Sequence, residues 1–247
     1  MTEFTAKLAD LPILIRAVHP ELRRFLRDWI CEEEPELTVE MQPEDIDRER
    51  ELDAESRAAE GLEPIRFSDA YLETLALYRK LAEALVEREV LLLHGSVVAV
   101  DGQAYLFTAK SGTGKSTHTR LWRELFGERA VMINDDKPLL RVSEEGVTAF
   151  GTPWNGKHRL GGNLSAPLKA LCILSRDEGN HIEPISLEDA FPMLFQQCYR
   201  PRQPEKMPLV LSLLERLGTE VKCYRLGCNM EPEAARVSYQ GMQEEET

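Results

Sequence analysis

A glycine-rich loop that ends in a lysine and a serine is the stretch of this sequence best suited to chemistry. It reads AKSGTGKS over residues 109–116. This matches the phosphate-binding pattern GxxxxGK[ST], with alanine in place of the first glycine. Gly112 and Gly114 allow positive φ, so successive backbone N–H groups can face a polyphosphate at close range. Ala109 ends a strand and needs no such freedom.

The pattern predicts a binding site for nucleotide phosphates. Lys115 is placed to neutralise the β- and γ-phosphates, and the Ser116 hydroxyl is placed to bind Mg²⁺. The partial positive charge at the start of the following helix adds to the attraction. We expect ATP and Mg²⁺ as cofactors, and a chance glycine-rich turn beside a surface lysine is the alternative. The predicted phosphate-binding residues are Ser111, Gly112, Thr113, Gly114, Lys115, Ser116 and Thr117.

Two adjacent aspartates, Asp135 and Asp136, follow an apolar run at residues 130–133. A strand that ends in carboxylates downstream of a phosphate loop is typical of the Walker B arrangement, which completes the Mg²⁺ shell. A kinase acting on a hydroxyl also needs a carboxylate that accepts the substrate proton. Adjacent residues on a strand point to opposite sides, so the two aspartates are predicted to have different roles. A polar turn after a strand is the alternative.

His94 is predicted to lie beside the 109–116 loop. Two β-rich runs flank Asp101 and Gly102, which fit a two-residue type I′ hairpin turn. That turn pairs Val97 with Leu106 and places His94 opposite Ala109. The histidine therefore has both a catalytic and a structural interpretation.

A second glycine-rich stretch, at residues 151–163, carries Lys157, His158 and Arg159. Glycine-rich loops with clustered cations commonly bind anions, and a mobile surface loop is the alternative. A cation that stabilises a transferred phosphoryl group is expected from Lys157, Arg159 or Arg120. We prefer Lys157 because it lies in the glycine-rich loop.

The surrounding pattern predicts an α/β fold in two parts. Residues 1–66 form an N-terminal α/β region with an acidic segment, and residues 67–247 form the catalytic domain. Within the first part, residues 43–64 lack an apolar period and are interpreted as helix fragments and loop. Within the second, residues 168–174 are apolar on both faces and predict a buried strand.

Composition excludes several classes of function. The net charge is −13, and residues 31–60 carry thirteen acidic against three basic side chains, which argues against nucleic acid as a partner. No apolar run approaches the ~20 residues that cross a bilayer, so no membrane partner is expected. The start of the chain has no secretory pattern, and we expect a cytoplasmic protein. Five cysteines without a CxxC pair favour core packing over metal or disulfide bonds.

Together these motifs resemble the catalytic core of the HPr kinase/phosphorylase family, and the phosphoenolpyruvate carboxykinases share a similar core. The resemblance rests on His94-Gly95 leading a hairpin into SGTGKS, followed by a strand ending in Asp135-Asp136, and covers roughly residues 90–175. It implies a P-loop domain on a mixed sheet, and also homo-oligomer formation. By position, Asp135 becomes the general base with His94 beside it, and Asp136 joins Ser116 at the metal.

The family resemblance implies an ATP- and Mg²⁺-dependent kinase acting on a serine or a serine-like alcohol in a small molecule, peptide or protein. HPr kinases carry a further acidic residue near the metal, whereas GTPWNGKHRLGG stands in that region here. The chain therefore resembles a diverged member, and this departure argues against HPr as its substrate. Two alternatives remain: a nucleotide-dependent regulator without phosphotransfer, and a phosphorylase that runs the reverse reaction.

Overall fold

The computed structural model describes residues 2–243, which form two compact units that divide between Ala84 and Leu85. The first unit contains strands β1 (Thr2–Leu8), β2 (Leu11–Ala17) and β3 (Leu37–Glu40) and helices α1 (Glu21–Phe25), α2 (Pro43–Ala59) and α3 (Asp69–Leu85). Its sheet has the order β1-β2-β3, with β1 antiparallel and β3 parallel to β2. The division falls at the last residue of α3, whereas the sequence placed a boundary at residues 66/67, ahead of that helix.

The prediction of helix fragments and loop for residues 43–64 is confirmed only in part, because the helical residues are continuous and loop begins only after Ala59. Residues 43–59 form the single 17-residue helix α2. Ion pairs to α3 support it, since Asp45 contacts Lys80 at 2.5 Å and Glu49 contacts Arg79 at 2.6 Å. These contacts do not need an apolar stripe, so hydrophobic periodicity gave no signal for the helix.

The second unit is an α/β structure built on a mixed sheet, and the predicted fold class is confirmed at that level. Its strands are β4 (Val90–Leu92), β5 (Ser96–Val100), β6 (Gln103–Thr108), β7 (Ala130–Asn134), β8 (Leu139–Ser143), β9 (Gly146–Phe150), β10 (Ser165–Arg176), β11 (His181–Ile185) and β12 (Lys222–Cys228). Its helices are α4 (Lys115–Phe126), α5 (Leu187–Gln197), α6 (Met207–Glu220) and α7 (Glu233–Gly241).

The long strand β10 joins the parts of this sheet. The strand order is β4-β8-β9-β10-β6-β5-β7, and β12 also pairs with β10 and carries β11 beside it. The start of β10 is antiparallel to β9, and its remainder is parallel to β6 and β12. β10 contains the predicted buried strand at residues 168–174.

Apolar side chains cover both faces of the sheet. In β5, Val97 and Ala99 belong to the core under α5 and α6, whereas Val98 and Val100 belong to the core under α4 and α7. β6 alternates in the same way. Burial on both faces explains why these strands are almost continuously apolar rather than alternating with polar residues.

The β5–β6 hairpin has the predicted register, with Val97 opposite Leu106 and Val100 opposite Gln103. Its turn residues Asp101 and Gly102 have φ values of 51° and 80°, as a type I′ turn requires. On its other side β5 is antiparallel to β7. Because β5 lies between β6 and β7, the hairpin brings the starts of two segments together: the 109–116 loop after β6, and the aspartates after β7.

Candidate active site

A cavity of about 280 Å³ lies where the 109–116 loop, the end of β7 and the 151–163 loop meet. Every residue that lines it belongs to the second unit. The lining residues are His94, Gly112, Gly114, Lys115, Ser116, Thr117, Asp135, Asp136, Gly156 and Lys157. Most of the predicted site residues are therefore brought together. Ser111 and Thr113 lie in the same loop but are not among the residues that line the cavity.

The 109–116 loop has the backbone conformation that its glycines permit. Gly112 and Gly114 have φ values of +76° and +123°. No heavy atom comes within 4 Å of where a side chain on either glycine would begin, so backbone conformation rather than space requires glycine there. Helix α4 begins directly after Gly114. The first N–H groups of that helix have no carbonyl partners within the helix and are available to an anion.

The Lys115 side chain lies over the loop rather than in solvent. Its Nζ donates a hydrogen bond to the carbonyl of Ala109 at 3.2 Å, and the residue is only 9% exposed. Burial lowers the pKa of Lys115, and the charge of Asp136 partly opposes that shift. A cation held at this depth gains strongly from an anionic ligand in the cavity.

The turn that follows β7 is shaped by Asn134, to which the sequence assigned no role. Its side-chain oxygen accepts hydrogen bonds from the N–H groups of Asp136 and Lys137 at 2.8 and 2.6 Å. Its side-chain nitrogen donates to the Thr152 carbonyl at 3.1 Å. Asn134 is fully buried. One amide side chain thus folds the turn that presents both carboxylates and ties it to the 151–163 loop.

Asp135 is buried and keeps one oxygen without a partner. Its Oδ1 accepts a hydrogen bond from the N–H of Gly156 at 2.6 Å. Its Oδ2 is buried and has no hydrogen-bond partner among residues 2–243. Burial raises the pKa of Asp135, and backbone hydrogen bonds from Gly156 and Leu160 offset that shift only in part. With a raised pKa and one unpartnered oxygen, this carboxylate has the features of a general base.

Asp136 has a different environment. Its Oδ1 lies 3.2 Å from Nε2 of His94, and its Oδ2 lies 3.3 Å from Nζ of Lys137. Burial raises the pKa of Asp136, but the hydrogen bond from His94 and the charge of Lys137 outweigh it and lower the pKa overall. Asp136 is therefore held as a carboxylate, the form that binds a cation.

His94 reaches the cavity as predicted, but it contacts Asp136 rather than Asp135. The family resemblance implied a histidine beside the first aspartate. The Thr108 hydroxyl donates to the His94 carbonyl at 2.9 Å, which fixes the histidine next to the end of β6. Nδ1 of the ring lies 2.8 Å from Oε1 of Gln197, the last residue of α5. Sequence reasoning missed Gln197 because 103 residues separate the pair.

The 151–163 loop is packed closely against β7. A Cβ on Gly151 would lie 1.9 Å from the Gly162 carbonyl oxygen, and one on Gly161 would lie 2.6 Å from the Ile133 carbonyl oxygen. Gly161 also pairs with Asn134 in an isolated β-bridge. These glycines therefore allow backbone to approach backbone, which lets the loop deliver the N–H of Gly156 to Asp135.

The structure distinguishes the candidate cations by whether they lie at the cavity. Lys157 lines the cavity, whereas His158 and Arg159 are exposed and are not among its lining residues. Arg120 lies on the surface of α4 and forms an ion pair with Glu124 at 2.6 Å. Of these four, Lys157 alone is placed at the cavity.

The fit to Mg²⁺ depends on a nucleotide. Among residues 2–243 no group of three or more His, Cys, Asp or Glu side chains could hold a metal ion. Mg²⁺ is commonly bound through one or two protein groups, with substrate phosphates and water completing its shell. Ser116 and Asp136, which both line the cavity, fit that limited role.

A larger cavity of about 430 Å³ lies in the first unit, but its lining is less suited to binding an anionic ligand. Its lining includes Arg50 and Arg57 together with Ile65 and Phe67. Arg50 forms an ion pair with Asp69, and Arg57 forms one with Asp53. Internal pairing of these charges leaves the cavity in the second unit as the candidate active site.

No protein-family model matches the sequence, and no curated protein sequence matches it. Among solved structures the chain is similar to the HPr(Ser) kinase/phosphatase from Coxiella burnetii. The superposition has a TM-score of 0.35 and 9% sequence identity, and covers 62% of this chain and 99% of that one. The likeness is distant, and the chemistry of the site follows from the residues of this chain. Over the part of the chain that the structure describes, no helix is both long and apolar enough to cross a bilayer.

Proposed function

We propose that the protein is an ATP- and Mg²⁺-dependent phosphotransferase that acts on a hydroxyl group. One observation carries the proposal: a phosphate-type loop, a buried lysine and two carboxylates with opposite pKa shifts line the same cavity. A protein that only bound nucleotide would need the loop and the lysine. The carboxylate with a free buried oxygen is the additional feature that group transfer to an alcohol requires.

The 109–116 loop and Lys115 bind and orient the triphosphate. Backbone N–H groups at Gly114 and the start of α4 surround the phosphates, and Lys115 exchanges its contact with the Ala109 carbonyl for a phosphate oxygen. Ser116 and Asp136 would hold Mg²⁺, which supplies charge neutralisation on the β- and γ-phosphates.

Asp135 takes the proton of the acceptor alcohol. Its raised pKa makes it a better proton acceptor than an ordinary surface aspartate, and its unpartnered Oδ2 is free to accept a hydrogen bond from the hydroxyl. The N–H of Gly156 holds the other oxygen and so orients the carboxylate. Lys157 lies at the same cavity and is assigned to the charge on the transferred phosphoryl group. His94 holds Asp136 on the metal side of the site.

The acceptor is proposed to be a serine or a serine-like alcohol in a small molecule, peptide or protein. The direct test is incubation with γ-labelled ATP, Mg²⁺ and a panel of metabolites and peptides, followed by mass spectrometry. Transfer of label to a hydroxyl supports the proposal. Nucleotide binding without any labelled acceptor would favour the regulator, and formation of alcohol and pyrophosphate from a phosphorylated acceptor plus inorganic phosphate would favour the phosphorylase.

Asp135→Asn tests the general base. The variant keeps the shape and the acceptor for Gly156 N–H but cannot take a proton at neutral pH. We expect unchanged MgATP affinity and a loss of phosphotransfer of about 10²–10⁴-fold, the usual contribution of general-base catalysis. Calorimetry measures the first and label transfer the second. A variant with full transfer activity would overturn the assignment of Asp135.

Lys115→Ala tests the phosphate contact, with Lys110→Ala as its matched control. Lys110 is exposed in the same loop and does not line the cavity. Loss of a charge-assisted contact worth about 1.5–3 kcal/mol should weaken MgATP binding roughly tenfold to more than a hundredfold. The Lys110 variant should bind like the wild type. Equal effects of the two substitutions would contradict the placement of Lys115.

A further inference from the structure

Arg176 contacts the 109–116 loop from the neighbouring strand. It is the last residue of β10, which runs parallel to β6 with Ile173 opposite Thr108. Its Nη2 donates to the carbonyl of Gly112 at 2.5 Å, and its Nε donates to the carbonyl of Thr113 at 3.4 Å. The guanidinium therefore spans two successive carbonyls of the loop.

These contacts orient the N–H groups of the loop. In a planar trans peptide the C=O and the N–H point in opposite directions. Holding the carbonyls of Gly112 and Thr113 on one side therefore turns the N–H groups of Thr113 and Gly114 to the other side. The N–H of Thr113 is used by the Lys110 carbonyl at 3.3 Å. The N–H of Gly114, a residue that lines the cavity, has no acceptor among the described residues.

The charge of Arg176 is also not neutralised by the protein. Across residues 2–243 it has no carboxylate partner within ion-pair distance, and its hydrogen bonds go to the two loop carbonyls. Arg225 on the adjacent strand β12 provides a contrast, since it forms an ion pair with Glu183 at 3.1 Å. An uncompensated cation beside the free N–H of Gly114 and the start of α4 favours binding of a polyanion.

We propose that Arg176 is a positioning residue for the phosphate loop. Its forked guanidinium holds the Gly112 and Thr113 carbonyls so that the loop presents the free N–H of Gly114 to the cavity before ligand arrives. Preorganisation of this kind raises affinity because the loop is not ordered at the moment of binding. The identity of the anion, a nucleotide polyphosphate, rests on the proposed function. The orientation of the loop does not.

Three variants distinguish the effect of the forked guanidinium, the effect of its positive charge, and the effect of removing any arginine from this part of the sheet. Arg176→Gln removes the charge and the fork, Arg176→Lys keeps the charge with a single nitrogen, and Arg225→Gln makes the same charge change on the next strand. Amide hydrogen exchange of the ligand-free chain, measured residue by residue by NMR, reports the order of the loop through the Thr113 N–H. Calorimetry with MgATP and with adenosine reports the consequence for binding.

We expect Arg176→Gln to speed exchange at Thr113 by about tenfold or more and to weaken MgATP binding by a similar factor, as for loss of a charge-assisted hydrogen bond. Adenosine, which has no phosphate, should bind equally to all variants. Arg176→Lys should be intermediate in both measurements, and Arg225→Gln should match the wild type.

Unchanged exchange at Thr113 in Arg176→Gln would overturn the proposal whatever the ligand. Faster exchange with unchanged MgATP affinity would overturn its functional part, and a lysine variant equal to the wild type would show that charge acts without the fork. If the wild type itself fails to bind MgATP, the proposed function fails, and the exchange measurement alone decides the role of Arg176 in the loop.

Discussion

At the scale of single residues, the two adjacent aspartates have different environments and are suited to different roles. Asp135 accepts a hydrogen bond from the Gly156 N–H and keeps a buried oxygen free. Burial raises its pKa, and backbone hydrogen bonds only partly offset that shift. Burial also raises the pKa of Asp136, but His94 and Lys137 more than compensate and hold it ionised. The same residue type in successive positions is thereby suited first to proton transfer and then to a cation. The sequence predicted different roles for them, and their contacts supply the physical reason.

Gln197 is predicted to orient His94 and, through it, Asp136. Gln197→Leu removes the partner of Nδ1 while leaving the backbone bond from the His94 N–H to the Gln197 carbonyl. We expect phosphotransfer to fall by about tenfold, because a ring held on one side only positions Asp136 less well. The pH dependence of kcat should also change, and MgATP affinity should change less than kcat.

The matched control for Gln197 is the adjacent Gln196, which is exposed on the same helix. Gln196→Leu makes the same chemical change without touching His94. A purely structural effect of leucine at the end of α5 would lower kcat in both variants and leave the pH profile unmoved, and that result would contradict the positioning role.

At the scale of elements, helix α4 carries the loop and is fixed to the sheet by aromatic packing. Trp122 is fully buried and lies 4.8 Å from the Tyr105 ring by centroid. Its Nε1 donates to Oγ of Ser238 on α7 at 2.9 Å and lies 3.2 Å from Nε2 of His118. Helix α7 thus holds the helix that begins with Lys115. Nothing in the sequence pattern indicated that α4 and α7 pack together.

Acid is predicted to destabilise the second unit through His118. Burial lowers the pKa of His118 from its ordinary 6.5 to about 4. Protonation would also place a new N–H donor against the Trp122 donor. The unfolded chain therefore binds a proton between pH 6.5 and 4 that the folded chain does not. Stability is full above pH 6.5 and falls by about 3 kcal/mol as the pH drops to 4.

Urea denaturation at several pH values measures this effect by comparing the wild type with His118→Gln. Glutamine keeps an acceptor for Trp122 but does not titrate, so the variant should lose about 3 kcal/mol less than the wild type between pH 7 and 4. His158→Gln, at an exposed site, should retain the wild-type slope. Parallel slopes for the wild type and His118→Gln would refute the assignment to His118.

At the scale of the whole molecule, the candidate active site belongs entirely to the second unit. The acidic helix α2 lies in the first unit and supplies none of its lining. A ligand of the cavity is therefore expected to stabilise the second unit directly. The chain also lacks, over residues 2–243, a cluster of acidic or histidine ligands that could hold a metal by itself.

Stabilisation of the folded protein by ligand is predicted to require ATP and Mg²⁺ together. At a hundred times its dissociation constant, MgATP should raise the free energy of unfolding by about 2.7 kcal/mol. Mg²⁺ alone should raise it far less, because Ser116 and Asp136 provide too few ligands without phosphates. Thermal or urea denaturation with each component separately provides the measurement. Equal stabilisation by Mg²⁺ alone would contradict a nucleotide-dependent metal site.

Short-range patterns in the sequence determined much of the site. The register of the β5–β6 hairpin follows from two turn residues and a strand period of two, so His94 could be placed beside the 109–116 loop in advance. The glycines of that loop and the carboxylates after β7 are likewise local signals, because each depends on a few neighbouring residues. The α/β class follows from the order of apolar runs.

Tertiary structure alone decided which partners these residues have. Gln197 reaches His94 across 103 residues, Arg176 reaches Gly112 across 64, and Thr152 meets Asn134 across 18. No periodicity links such pairs, because strand order and loop packing bring them together. The continuity of helix α2 was not predicted for a related reason: its ion pairs to α3 are made in three dimensions and leave no apolar period along the chain. The sequence thus determined the chemical groups, and the packing of the sheet decided which of them touch.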